Sequence, residues 1–263
     1  MTDALLTPAQ RAAVEKLLAR ESARRAHLVV SLSGAHAYGF PSPDSDVDVK
    51  AVHLAPTAEV LGFPRALPSA ERLEVLDGVE VDYSSNELGA VLQGVLKGNG
   101  NYLERILSGH VLASSPRFDA LRPLVQAALS RRVARHYAGF ATGQRQEWER
   151  GGRASAKKLL YVLRTCLTGT HLLLTGEVVT DVTALLPRYG LADASALVEQ
   201  KRRGEKAELP VVLAESWAAR LDGLFASLRA AEEQSVLPEA PPNEAALEQA
   251  LVHLRLEALR LLH

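Results

Sequence analysis

The stretch LVVSLSGAHAYGFPSPDSDVDVK, from Leu28 to Lys50, decides the fold. It begins as an apolar run that predicts a buried β-strand, which should stop at the Gly-containing turn that starts at Ser33. After a segment rich in Gly and Pro, the chain re-enters a strand at Asp46, where Asp and Val alternate. Side chains alternate between the two faces of a strand, so Asp46 and Asp48 should share one face while the neighbouring valines lie in the core.

Paired carboxylates on one strand face indicate a cation site. Two like charges side by side repel each other, and a cation between them relieves that repulsion. Oxygen-only ligands beside a Gly-rich turn suit Mg²⁺, which takes one or two carboxylates together with substrate phosphates. Gly34 would let the backbone approach a phosphate, and the amides after it can face an anion if a short helix starts there.

A second interpretation is that the acidic segment from Asp44 to Asp48 is only a solvated turn and strand start, since Asp and Ser favour turns. It accounts for Asp44 and Ser45. It does not account for Asp48, which stands inside a Val-rich strand where Asp is disfavoured. The sequence therefore favours the metal site over the solvated turn.

The segment Ser33–Gly39, followed by Ser45–Asp48, resembles the predicted nucleotidyltransferases of the DNA polymerase β superfamily. The resemblance is closer to the branch sometimes found beside RNA ligases, whose pattern reads roughly GS-x-AYG-x-SD-x-D. One position departs from it, because the Ser that would touch the nucleotide's phosphates is Ala35 here, and whether Ser33 substitutes is left open. The nucleotide-binding residues that the resemblance implies in this region are Ser33, Gly34, Ala35, His36 and Ser45.

The segment Arg72–Tyr83 predicts a β-hairpin, with Asp-Gly at positions 77 and 78 supplying a tight turn. In the superfamily, a third carboxylate comes from the strand next to the Asp pair, and the resemblance points to Asp82. Glu80, on the same face, is the substitute candidate. The alternative is that both residues lie on the exposed face of an antiparallel strand. The presence of the Asp46 and Asp48 pair favours a metal-binding role for Asp82.

Two helix starts carry capping signals. Thr7 and Gln10 stand at capping-box spacing around Pro8, and we expect a helix from there to about Arg25. Ser84 and Glu87 have the same spacing and predict the start of the helix that follows the hairpin.

Strand signals nearly vanish after Pro116, and helical periodicity takes over. We therefore predict a boundary at about Ser114–Arg117, with a nucleotidyltransferase domain at residues 1–115 and a helical domain at residues 116–263. The predicted helices of the second domain are Phe118–Ala128, Arg131–Arg150, Ala154–Gly176, Ala192–Arg203, Leu209–Glu233 and Asn243–Leu262.

Lys157, Tyr161 and Arg164 fall at i, i+4 and i+7 and should share one face of a helix. This resembles a helical segment of the family in which a Lys and an Arg have the same spacing. A cationic face of this kind would neutralise a triphosphate. A solvated basic face is the common alternative.

Composition sets the remaining bounds. The chain has 263 residues, of which 47% are hydrophobic and 23% charged, as in an ordinary globular protein. The formal net charge of −1 gives no overall basic field, so any nucleic-acid binding must depend on local patches. A single cysteine, Cys166, excludes an intramolecular disulfide and fits a reducing compartment. We expect no signal peptide and no membrane span, and a cytoplasmic location.

The expected fold class is α+β, with a polymerase β-like nucleotidyltransferase core of mixed sheet and flanking helices, followed by an all-helical domain. The implied reaction is transfer of a nucleoside monophosphate from an NTP to a hydroxyl, with two Mg²⁺ or Mn²⁺ ions held by Asp46, Asp48 and Asp82. An RNA or tRNA end is the favoured acceptor, because the resemblance is to proteins associated with RNA repair. A small molecule, a protein hydroxyl and a non-catalytic nucleotide-binding module are the alternatives.

Overall fold

The computed structural model describes residues 5–61, 69–204 and 206–260, and within them a mixed sheet of five strands in the order β3-β4-β2-β1-β5. The strands are β1 (Ala26–Leu32), β2 (Val47–Leu54), β3 (Ser69–Leu76), β4 (Val79–Glu87) and β5 (Val111–Ser114). The β2–β4 pair is parallel, and the β1–β2, β1–β5 and β3–β4 pairs are antiparallel. The predicted α+β class is confirmed.

Helices flank the sheet and make up most of the rest of the chain. They are α1 (Pro8–Ser22), α2 (Gly34–Tyr38), α3 (Thr57–Val60), α4 (Leu88–Leu96), α5 (Gly100–Leu107), α6 (Pro116–Ala127), α7 (Val133–Arg150), α8 (Ala156–Thr175), α9 (Val182–Arg188), α10 (Ser195–Arg202), α11 (Val211–Glu233) and α12 (Glu244–Arg260). No helix within the described ranges is both long and apolar enough to cross a membrane.

Local sequence explains several element ends. The capping box at Thr7 forms as predicted: Gln10 N donates to Thr7 Oγ1, and the Gln10 side chain accepts from Thr7 N. Asp77 and Gly78 have φ values of 50° and 85°, as a two-residue hairpin turn between β3 and β4 requires. The predicted cap at Ser84 is wrong, because β4 continues to Glu87 and the Glu87 side chain itself accepts from Gly89 N at 2.6 Å.

The chain divides into two compact units. The first contains the chain up to Gly34, the segment Asp46–Leu129 and the chain from Pro241 onward; the second contains Ala35–Ser45 and Ser130–Ala240. In the first unit, α1, α4 and α5 pack on the sheet, and α12 packs on α3, α4 and α6. In the second unit, α8 packs on α7, α9, α10 and α11.

This division differs from the boundary that we predicted near residue 115. Helices α6 and α12 belong to the first unit, because α12 returns from the C-terminal part of the chain to cover α6. The segment Ala35–Ser45 belongs to the second, where Thr180 Oγ1 donates to Ala37 O at 3.1 Å. Contacts between residues distant in sequence, which composition does not reveal, produce both differences.

The helices predicted after Pro116 are present, with ends shifted by a few residues. The segment predicted as Ala192–Arg203 begins with a 3-10 turn at Ala192–Ala194 before α10. Helix α9 was not predicted, and its N-cap is Asp181, which accepts from Thr183 N. The last two residues of the predicted helix Asn243–Leu262 lie outside the described residues.

Candidate active site

The acidic strand β2 has the alternation that its sequence predicts. Val47 and Val49 are fully buried, whereas Asp46, immediately before the strand, and Asp48 within it are half-buried. A strand that buries every second side chain presents the intervening ones together on its other face. The two aspartates therefore have the alternation needed for a shared cation.

Strand β4 brings the third carboxylate to this face. In the parallel β2–β4 ladder, Val47 pairs with Val81 and Asp48 pairs with Asp82. Asp82 is half-buried, whereas Glu80, the substitute candidate, is exposed. Of the two, Asp82 is therefore the residue in register with the Asp pair.

A lysine that the sequence analysis did not consider lies between these carboxylates. Lys50 Nζ donates to Asp82 Oδ2 at 2.9 Å and lies 3.8 Å from Asp48 Oδ1. The exposed fractions of the Lys50 and Asp48 side chains are 19% and 18%. Its position two residues after Asp48, and so on the same face, was the available signal.

The turn after β1 approaches the acidic strand closely. Ser33 N donates to Asp48 O at 2.9 Å, and Gly34, at the start of α2, has a φ of +59°. A Cβ built on Gly34 would overlap the Asp48 carboxylate. Only a residue without a side chain fits at this position, which gives the predicted Gly a concrete steric reason.

The residues after Gly34 are more enclosed than the motif suggests. In the second unit, Ala35 is 2% exposed and His36 is 3% exposed. Ser33, in the first unit, is half-buried. The short helix α2 does begin at Gly34, as expected. The predicted roles of these residues in nucleotide binding stay predictions.

A buried lysine holds the turn that precedes Asp46. Lys201 on α10 is 0% exposed, and its ammonium donates to Ser42 Oγ at 2.6 Å and to Ser45 Oγ at 3.2 Å. The two serine hydroxyls are also hydrogen bonded to each other at 3.0 Å. The resemblance implied Ser45 as a nucleotide-binding residue, whereas in the structure Lys201 and Ser42 are hydrogen bonded to its hydroxyl.

The predicted cationic face of α8 is partly buried. Arg164 is 2% exposed and stacks on Tyr38, with its guanidinium carbon 4.0 Å from the ring centroid. Tyr161 meets the rings of Tyr38 and Phe40 edge-on at 5.6 and 5.7 Å. Lys157, one turn earlier, is half-buried. A solvated basic face therefore does not describe Arg164.

A cavity of about 570 Å³ lies beside the N-terminus of α8 in the second unit. Its lining includes Trp148 of α7, the N-cap residue Ser155, Lys157, Tyr161 and Lys206. This volume lies within the range of small-molecule sites. Two of the predicted nucleotide-binding residues, Lys157 and Tyr161, thus line a common cavity.

Cys166 offers no covalent chemistry. The thiol is buried in α8, and burial raises its pKa to about 12. A thiol protonated at neutral pH is a poor nucleophile. The candidate chemistry therefore rests on the carboxylates.

The carboxylates of this site fit a divalent metal ion only in part. Within the described ranges, no three Asp, Glu, His or Cys side chains come together as a ready metal site. Asp46 and Asp48 nevertheless supply the oxygen-only donors that suit Mg²⁺ or Mn²⁺, which complete their coordination with water and substrate phosphates. The donors fit one divalent cation at this pair, while Asp82 is already engaged by Lys50.

Known proteins resemble parts of this chain. Uncharacterized protein MJ0002 of Methanocaldococcus jannaschii is 31% identical over 159 residues, 60% of this chain and 64% of that protein, so the match spans less than two thirds of the relative's length. Uncharacterized protein YcgL of Bacillus subtilis is 28% identical over 187 residues, 67% of this chain and 70% of that protein.

One solved structure is a distant match. The crystal structure of a nucleotidyltransferase-like protein from Exiguobacterium sibiricum 255-15 is 12% identical, covers 93% of this chain and 86% of its own, and has a TM-score of 0.34. A similarity this weak supports no inference about function.

The family match covers nearly the whole chain, including the segment around Asp46 and Asp48. The sequence pattern of RlaP, described as the RNA repair pathway DNA polymerase beta family, matches residues 9–253. The resemblance seen in the sequence is thereby confirmed. The chain belongs to the RNA repair pathway DNA polymerase beta family.

Proposed function

We propose that the protein is a metal-dependent nucleotidyltransferase that moves a nucleoside monophosphate from an NTP to an acceptor hydroxyl. The observation that carries this proposal is the register of β2 and β4, in which Asp82 on β4 pairs with Asp48 on β2. Asp46 immediately precedes β2. Carboxylates on neighbouring strands are the ligand type that phosphoryl-transfer sites use. The family supports the same reaction class.

In this mechanism the chain's residues mainly position charge. Asp46 and Asp48 would hold Mg²⁺ or Mn²⁺, which when bound neutralises phosphate charge and makes the acceptor hydroxyl more acidic. The acceptor oxygen forms a bond to the α-phosphorus while the bond to the pyrophosphate oxygen breaks. Asp82, which accepts from Lys50 through Oδ2, would take the hydroxyl proton on its other oxygen.

Each unit by itself contains residues for which we propose a role in nucleotide binding. Gly34 permits close approach of backbone to phosphate, with Ser33 and the amides of Ala35 and His36 following it. In the second unit, Lys157 would bind phosphate from the wall of the cavity. Three other predicted residues would act indirectly, by holding neighbouring side chains in place. Their contacts are Ser45 with Lys201, Arg164 with Tyr38 and Tyr161 with Phe40.

An RNA or tRNA end is the acceptor that we favour, because the family is described by an RNA repair pathway. A small hydroxylated molecule and a protein hydroxyl use the same chemistry. A non-catalytic nucleotide-binding module is the remaining alternative, and Ala35 in place of the family's Ser is the feature that favours it.

The test is transfer of label from each α-labelled NTP, with Mg²⁺ or Mn²⁺, to a panel of RNA ends. We expect transfer by the wild type and its loss in Asp46→Asn and Asp48→Asn. Asp77→Asn is the matched control, because Asp77 is an exposed aspartate at the β3–β4 turn whose ion pair is with exposed Lys16. Retained transfer in Asp48→Asn would overturn the site. NTP binding without transfer to any acceptor would favour the non-catalytic module.

A further inference from the structure

The register of strand β2 with its two neighbours fixes the position of Lys50 in the sheet. On β2 it pairs with Ser31 of β1 and with Ser84 of β4, so small side chains flank it on the same face. Asp48 and Asp82 are the next ladder pair along this face. Lys50 thus stands between two serines in the ladder, and its Nζ lies 2.9 Å from Asp82 Oδ2 and 3.8 Å from Asp48 Oδ1.

The ammonium of Lys50 and a divalent cation compete for the same oxygen. A Mg²⁺ ligand oxygen lies about 2.1 Å from the metal, so an ion on Asp82 Oδ2 would lie against an ammonium already hydrogen bonded there. Lys50 is only 19% exposed, and water therefore screens this repulsion weakly. The formal charges of these side chains point the same way. Three carboxylates (Asp46, Asp48 and Asp82) and one ammonium (Lys50) leave a net negative charge that a single divalent ion neutralises.

The geometry points to Lys50 as a resident cation that occupies Asp82, so that the protein without nucleotide binds one divalent ion, at Asp46 and Asp48. The inference rests on the proposed function, since it concerns the same carboxylates. It changes the role of Asp82 that the family resemblance implied: Lys50, rather than a second metal, holds this residue in the nucleotide-free protein. Lys50 becomes a positioning residue for the reaction.

Mn²⁺ binding to the nucleotide-free full chain, measured by calorimetry and by electron paramagnetic resonance, tests this. We expect one Mn²⁺ per chain for the wild type and for Lys50→Arg, which keeps the cation, and two for Lys50→Met, which removes it at similar length. Asp82→Asn should still bind one Mn²⁺ per chain, because Asp82 is not a ligand there, but with weaker affinity, because a nearby negative charge is lost. In the Lys50→Met background, Asp82→Asn should remove the second ion.

The experiment distinguishes failure of the inference about Lys50 from failure of the proposed function. Two Mn²⁺ per wild-type chain, or no bound Mn²⁺ in Asp82→Asn alone, overturns the role of Lys50 and leaves the proposed function standing. No Mn²⁺ binding by the wild type overturns both. The Asp82→Asn arm decides the inference even if Lys50→Met fails to fold, because it keeps the lysine.

Discussion

At Gly34 the missing side chain leaves room for the Asp48 carboxylate, so one added methyl group should disturb the site. We expect Gly34→Ala to weaken Mn²⁺ binding by about tenfold or more, since a Cβ there would overlap Asp48 and the φ of +59° is unfavourable for Ala. Gly78→Ala is the control: its φ is +85°, but its Cβ would meet nothing within 4 Å. It should lower the free energy of unfolding by about 1–2 kcal/mol with unchanged Mn²⁺ affinity. Equal Mn²⁺ affinities in the two variants would contradict the steric explanation.

The buried ammonium of Lys201 makes a second prediction at this scale. Lys201→Met removes the donor to Ser42 and Ser45, and we expect the free energy of unfolding to fall by about 1–3 kcal/mol. Lys206→Met changes an exposed lysine of the same segment and should cost less than about 0.5 kcal/mol. Denaturant unfolding of both variants gives the comparison. Equal stability would show that the serine pair does not need the lysine.

Individual residues were predictable where local alternation decided them. Asp48 was singled out because Asp is disfavoured inside a Val-rich strand, and Asp82 because the resemblance supplied its partner strand; the metal-binding roles of both stay predictions. Lys201 was not singled out, since its contact with Ser42 joins positions far apart in sequence. Lys50 was overlooked because its Asp82 contact depends on the β2–β4 register, which a single sequence does not give.

Among the elements, the β3–β4 hairpin was predictable and the full extent of β4 was not. The Asp-Gly turn specifies the hairpin locally. Beyond Tyr83, the strand continues as Ser-Ser-Asn-Glu, a composition that favours a helix cap, and the ladder to β2 extends it as far as the pairing of Glu87 with His53. The short edge strand β5, Val111–Ser114, was not predicted and forms by pairing with β1. Tertiary pairing overrides propensity in both segments.

Strand β2 carries a pH-dependent contribution to stability through His53. The side chain is 4% exposed and its Nδ1 is hydrogen bonded to Ser85 Oγ at 2.8 Å. Burial lowers the pKa of His53 to about 4, and the positive charges of Arg25 and His27 act in the same direction. In the unfolded chain its pKa is near 6.5, so below that pH the unfolded state binds a proton that the folded state does not. The free energy of unfolding should therefore fall as the pH drops from about 6.5 towards 4.

His53→Gln isolates this contribution. Between pH 7.5 and pH 5 we expect the wild type to lose up to about 2 kcal/mol more than His53→Gln does, because each pH unit of one-proton difference is worth about 1.4 kcal/mol. His253→Gln, which changes a histidine whose side chain is 71% exposed, should keep the wild-type profile. Denaturant unfolding at a series of pH values measures all three. A wild-type slope in His53→Gln would exclude the buried imidazole as its source.

At the scale of the whole molecule, the change from mixed to purely helical sequence predicted two domains. It did not predict which segments of the chain belong to each compact unit. Helix periodicity identified α12, and its apolar stripe indicates a face that another part of the protein must cover. In the structure α12 packs on α3, α4 and α6 of the first unit, with Leu247 and Leu254 buried. Amphipathicity shows that a helix face must be covered and does not show by what.

Helix α12, which returns to the first unit, contributes Arg255 to an ion pair with a buried carboxylate. Arg255 Nη2 donates to Glu87 Oε1 at 3.1 Å, and the Glu87 side chain is fully buried while it also caps α4. Arg255→Met leaves this carboxylate without its cation, and we expect the free energy of unfolding to fall by about 3–5 kcal/mol. Arg260→Met, on the exposed end of the same helix, should cost less than about 0.5 kcal/mol.

Neutralising the carboxylate separates the charge effect from lost packing. In the Arg255→Met background, Glu87→Gln should restore part of the lost stability, because the uncompensated buried charge is gone while Gln can still accept from Gly89 N. A double-mutant cycle from denaturant unfolding measures this coupling. Additive losses would mean that Arg255 acts through packing alone. A positive coupling would show that the last helix secures the strand that carries Asp82, since Glu87 ends β4 and Asp82 lies five residues before it on the same strand.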